Sequence, residues 1–175
     1  MRMKDKDFFD YNEEHDINLL VDFNKKMKLF KGLQQAAYGD FKDATGYTIT
    51  KFGEKRKFNI EIKKRNAVLL PSGVVSGETF VDNNIIIETH KMLDLLLDKM
   101  TEGYEPVYIN FLDDNVVIVY NLWKLTKRPK TMKKFIKSKG YQGFEIASRQ
   151  GLYLVDAAIY KDNKLIKKVG EEWKS

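Results

Sequence analysis

The chain contains no cysteine, which excludes disulfides and thiolate metal sites. It has only two histidines, His15 and His90, too few for a histidine-rich zinc centre. No apolar run approaches the roughly 18 residues that a membrane-spanning helix needs. Met1-Arg2-Met3-Lys4-Asp5-Lys6 is followed by no apolar stretch of the secretory kind. Internal repeats, low-complexity tracts and linkers are all missing. The expectation from these absences is an intracellular, cytoplasmic protein with no membrane partner. Its 175 residues suit a single domain over 1–175 with a proper core.

Acidic residues are missing from one place in particular. The net charge is +6, a modest excess, but between Lys124 and Lys139 every charged residue is basic. Lys127, Arg128, Lys130, Lys133, Lys134 and Lys137 are therefore candidate phosphate contacts, and Trp123, Phe135, Tyr141 and Phe144 are candidate stacking partners for bases. A solvated helix face explains the same charges, and both readings stand. Pro129 is a favourable first helical residue and predicts a helix opening there.

Periodicity predicts a helix over about Asn12 to Gly32, with Leu19, Leu20, Phe23, Met27 and Phe30 in one apolar stripe. Gln34 to Ala37 would add a further turn. A hairpin follows, with Thr45–Thr50 and Lys57–Lys64 joined through Phe52-Gly53-Glu54. Residues 66–84, with Pro71, Gly73 and Gly77, read as a long loop. Ile85-Ile86-Ile87 predicts a short buried strand within Asn84–Glu88. A second helix over about Thr89–Thr101 would pack through Met92, Leu93, Leu96, Leu97 and Met100, ending at Gly103. Strands are expected at Val107–Leu112 and Val116–Leu122, then at Phe144–Ala147, Leu152–Tyr160 and Leu165–Val169. Asp113, Asp114 and Asp156 read as turn or surface residues.

The segment Phe58-Asn59-Ile60-Glu61-Ile62-Lys63-Lys64-Arg65 is the most informative. On a strand, Phe58, Ile60 and Ile62 share one face, and Asn59, Glu61, Lys63 and Arg65 share the other. A carboxylate and an ammonium two residues apart are thus held side by side. The first can ligate a hard divalent cation; the second can orient a water or offset charge on a phosphate. An ordinary solvated strand face is the competing explanation. Asp43 lies upstream, where the preceding strand begins. A strict hairpin about Gly53 sets Asp43 opposite Lys64, off the parity of Glu61, so that a bulge is needed or Asp40 takes its place.

With an Asp opening one strand and Glu-x-Lys inside the next, the chain resembles the PD-(D/E)xK nuclease superfamily, which includes restriction endonucleases, Holliday junction resolvases and phage nucleases. The resemblance covers about residues 12–122 and rests on Asp43, on Asn59–Arg65, on Ile86-Ile87-Glu88-Thr89-His90-Lys91 and on Pro106–Phe111. The motif's proline is absent, since Lys42 precedes Asp43. The resemblance implies an α/β, restriction endonuclease-like core of order αβββαβ. A mixed central sheet would be flanked by helices, with a basic C-terminal extension over about 123–175. It implies Asp43, Glu61 and Lys63 as catalytic residues. Asp43, Glu61 and the Ile62 carbonyl would ligate Mg²⁺ or Mn²⁺, and Lys63 would act on the attacking water or the phosphate. The first helix of relatives often carries an accessory acid; Glu13, Glu14 and Asp16 are candidates here, with Glu14 chosen. Glu88 and Lys91 would approach the same cleft. The implied activity is endonucleolytic cleavage of DNA, by a homodimer where two strands are cut. The alternative is a catalytically silent nucleic-acid-binding or assembly protein of the same fold. An interaction protein with no nucleic-acid role is a third reading.

Overall fold

The computed structural model describes the backbone of residues 5–77, 84–137 and 144–174, and the side chains of these except 5–14, 133–137 and 144–147. Helix α1 (Asp5–Met27) is stopped by Lys28, whose φ of 52° leaves the helical region. The Asn24 side chain then closes the turn: it accepts from Phe30 N–H at 2.8 Å and donates to the Phe30 carbonyl at 2.9 Å. The helix expected to reach Gly32 therefore ends five residues early. Strand β1 (Lys31–Gln35) follows, where a further helical turn was expected. Gly32 sits at a bulge between β1 and β2, with φ of 56° and the Tyr47 ring lying where a Cβ would point.

β2 (Ala44–Ile49) and β3 (Lys55–Lys64) form the expected hairpin, which turns through Lys51-Phe52-Gly53. The segment expected to be an irregular loop contains a small hairpin, β4 (Ala67–Leu69) and β5 (Val75–Gly77). β6 (Ile85–Glu88) leads directly into α2 (Thr89–Glu102), which Gly103 ends in the left-handed conformation. β7 (Glu105–Phe111) and β8 (Val116–Asn121) come next. The helix expected from Pro129 is instead strand β9 (Lys130–Lys137), followed by β10 (Phe144–Leu152), β11 (Ala157–Lys161) and β12 (Lys164–Lys167). A 3-10 turn at Leu154–Asp156 divides what the sequence read as one strand.

The protein is of mixed α/β class. A seven-stranded mixed sheet runs β1-β2-β3-β7-β8-β11-β12; a second sheet, β6-β10-β9, has three strands. β3 and β7 are parallel, joined by a crossover through α2, and the other pairings within the large sheet are antiparallel. The chain beyond Leu122 is thus no appendage, because β11 and β12 complete the large sheet. β6, expected as the third strand of the core, belongs to the second sheet instead.

Each face of the large sheet has its own core. Ile60, Ile62, Val107 and Ile109 pack with Leu20 and Phe23 of α1. On the opposite face Tyr108, Ile118 and Tyr120 pack with Met92 and Leu95 of α2 and with Ile85 and Ile87 of β6. The face of α2 is rotated from the expected one: Leu95 is buried, whereas Leu93, Leu97 and Met100 are exposed. Among the described residues no helix is long and apolar enough to cross a membrane.

Candidate functional site

Burial on both faces of the large sheet puts Glu61 in an unusual position. Ile60 and Ile62 point to α1, so Asn59 and Glu61 point to the other core; Asn59 is fully buried and Glu61 is only 3% exposed. The solvated-face explanation therefore fails for these two residues. Lys63, next on the same face, emerges to solvent. Glu61, Lys63 and Arg65 line one wall of a cleft of about 70 Å³ between the two sheets. Glu88 and Arg149 from the second sheet, with Lys91 from the first turn of α2, form the other wall.

Asp43 reaches this place through the register of β2 and β3. Ala44 pairs with Ile60, and Asp43, at the bend just before β2, donates its N–H to the Ile60 carbonyl at 3.0 Å, which sets its carboxylate beside Glu61. The expected mismatch of parity is resolved at the entry to the strand: the ladder runs from Ala44–Ile60 to Ile49–Lys55, centring the turn on Phe52, and Asp43 leaves that ladder at a bend. Asp43 Oδ2 accepts from Ile62 N–H at 2.7 Å. Asp40 is engaged elsewhere, accepting from Phe41 N–H at 2.7 Å and pairing with Lys42 at 3.1 Å.

Two carboxylates this close in a dry site oppose each other's ionisation. Burial, then the charge of Asp43, pushes the Glu61 carboxyl up to about 8 against the pull of Lys91. Lys91 Nζ pairs with Glu61 Oε1. Burial alone would disfavour the Lys91 ammonium, but Glu61, Asp43 and Glu88 outweigh it and raise its pKa. Glu61 Oε2 is buried with no hydrogen-bond partner. Below the pair, Arg65 donates through Nε to Asn110 Oδ1 at 3.1 Å and through Nη2 to Tyr108 Oη at 2.6 Å and to the Ile86 carbonyl.

The structure brings together Asp43, Glu61, Lys63, Glu88 and Lys91. The Ile62 side chain lies in the opposite core. The side chain of Glu14 is outside the described residues, but Asp16, its neighbour on α1, responds to the site. Burial and the charge of Asp43 raise the Asp16 pKa, and Lys63 works against them. Periodicity could not separate three acids on one helical turn without the helix's rotation. Arg149 was missed altogether, because only the pairing of β10 with β6, Arg149 opposite Glu88, carries it to the cleft. Among the described residues no three His, Asp or Glu side chains gather to hold a metal ion, so the Asp43–Glu61 pair is the acidic centre.

Among the described residues, no member of the basic segment lines the cleft. Lys127, Arg128 and Lys130 are exposed, and Lys127 Nζ stands 5.4 Å from the Tyr153 ring centroid. Lys133, Lys134 and Lys137 occupy β9, with side chains outside the described residues, as are Lys139 and Tyr141. No family model, curated protein or solved structure matches the chain.

Proposed function

We propose that the protein is a metal-dependent endonuclease hydrolysing phosphodiester bonds in DNA, with Mg²⁺ or Mn²⁺ held by Asp43 and Glu61. The observation that carries this reading is the placement of the Asp43 carboxylate beside Glu61, with Lys63 next on the Glu61 strand face. The order α1-β1-β2-β3-α2-β7, counted over the large sheet and the helices on its faces, supports it, with β1 supplying the third strand in place of β6. The donor set suits a hard cation: two carboxylates, one with a buried oxygen lacking any partner and an ionisation that its surroundings oppose. Bound there, the ion would supply an acidified water as nucleophile and draw charge from the phosphoryl oxygens.

The chain's own groups divide the remaining work. Lys63 presents a point charge at the solvent edge of the cleft, where charge on the phosphate would develop. Lys91 provides the positive charge that Glu61 needs in the metal-free protein. Asp16 adds negative potential beside Asp43. The basic residues Lys127, Arg128 and Lys130 would hold DNA through its phosphates.

Plasmid, linear duplex and branched DNA incubated with Mg²⁺, Mn²⁺, Ca²⁺ or EDTA tests the reading. Cleavage is expected with Mg²⁺ or Mn²⁺ and none in EDTA. Glu61→Gln loses metal affinity and cleavage together. Lys63→Ala keeps metal affinity while its rate falls about 100-fold or more, the usual effect of removing one charge-stabilising group. Wild-type protein that binds DNA and cuts none of these substrates with any metal would identify a silent scaffold, a reading favoured by the Lys91 ion pair on Glu61.

A further inference from the structure

We propose that Arg149 is a phosphate-binding residue of the cleft, delivered by the β9–β10 hairpin to face the Glu61–Lys63 strand. The ligand is a single phosphodiester or phosphate group, held through its non-bridging oxygens. As a statement about the substrate of the same cleft, it rests on the reading above.

Three observations combine. Arg149 lines the cleft, yet its Nε is buried without a hydrogen-bond partner. An unmatched donor on a permanently charged group is costly to keep, and an incoming oxyanion would satisfy it. The other cations are largely engaged: Arg65 with Tyr108, Asn110 and Ile86, and Lys91 with Glu61. The residues that line the cleft carry four cations against the carboxylates Glu61 and Glu88, with Asp43 a third carboxylate beside Glu61.

Geometry narrows the ligand. A cleft of about 70 Å³ admits a few waters or one tetrahedral oxyanion, but not a base with its sugar. The guanidinium fork matches two oxygens of a phosphate, and its fixed plane loses little freedom when they bind. Arg149 stands on a strand paired on both sides, opposite Met132 and Glu88, so its backbone is fixed before the ligand arrives. Sequence-independent contacts along β9 would set affinity for the polymer; Arg149 would fix the one phosphate beside the carboxylate pair.

The test uses the full chain in EDTA, so that binding is read without cleavage. A short DNA duplex is titrated into wild type, Arg149→Met and Arg149→Lys, with inorganic phosphate as competitor. Arg149→Met is expected to weaken duplex binding about 10- to 100-fold and to abolish competition by phosphate, with partial rescue in Arg149→Lys. Its thermal midpoint stays the same or rises, because the buried donor has no partner to lose. Unchanged duplex and phosphate binding in Arg149→Met overturns the proposal. So does a fall in thermal midpoint that parallels the loss of binding, since that marks a structural arginine. Phosphate bound through Arg149 by a protein that cuts nothing with any metal would remove the nuclease reading and leave this site standing.

Discussion

At the scale of single residues, Asp156 shows how a buried charge can be structural rather than functional. Read from sequence as a turn or surface acid, it is 3% exposed and closes the turn before β11. It accepts from Thr126 N–H at 2.9 Å, Thr126 Oγ1 at 2.5 Å and Lys127 N–H at 3.1 Å. Burial by itself would raise its pKa, but these bonds outweigh it and hold the carboxyl below its ordinary value. A depressed folded pKa contributes stability above the unfolded value, near 4, and that contribution fades as pH falls through the folded one. Asp156→Asn is therefore expected to cost about 2 kcal/mol at neutral pH. Urea denaturation between pH 7 and pH 3 should show the gap between wild type and variant closing below about pH 4. A gap independent of pH would mean that the charge contributes nothing beyond the amide's shape.

At the scale of elements, the β9–β10 hairpin connects sequence to site least legibly. Lysines and a leading proline favour a helix locally, but eight cross-strand pairs with β10 and the contact with β6 override that preference. Gly151 makes the contact close: a Cβ there would stand 2.9 Å from Met132 Cε and 3.0 Å from Asn84 Cβ. The methionine tip can move, but Asn84 is held near β10 by its bond to the Leu152 carbonyl. Gly151→Ala is expected to lower stability by about 1–2 kcal/mol in urea denaturation, with faster hydrogen exchange at 148–152. The same contrast explains what the sequence could reveal. Glu61 and Lys63 are legible because strand alternation is local, and α1's buried Leu20 and Phe23 follow from helical spacing. Arg149 depends on a pairing 61 residues away in the chain, and Asp16 on the rotation of a helix against a sheet. The placement of Asp43 turned on the hairpin's register and on a bend at the entry to β2, both below the resolution of turn rules.

At the scale of the whole molecule, the cleft exists because β6 and β10 of the second sheet meet the face of the large sheet carrying Glu61 and Tyr108. Tyr108 and Arg65 tie that junction. The Tyr108 hydroxyl donates to the Ile86 carbonyl at 2.8 Å and accepts from Arg65 Nη2, linking β7 and the end of β3 to β6. Burial pushes the Tyr108 phenol up to about 12, so it remains a donor throughout the neutral range. Tyr108→Phe keeps the ring's packing but removes the hydroxyl, leaving Arg65 as the donor to Ile86. The expected cost is about 1 kcal/mol. Its distribution is more informative than its size. If the second sheet opens as a unit, hydrogen exchange should quicken in β6 and β10 while β2 and β3 keep their protection. Glu88 and Arg149 travel with the second sheet, whereas Asp43 and Glu61 do not. If the cleft binds DNA and metal as proposed, the variant should then bind a short duplex several-fold more weakly in EDTA, with metal affinity at the carboxylate pair unchanged. Uniformly faster exchange across both sheets would instead show that they open together, and that the cleft's two walls are one rigid unit.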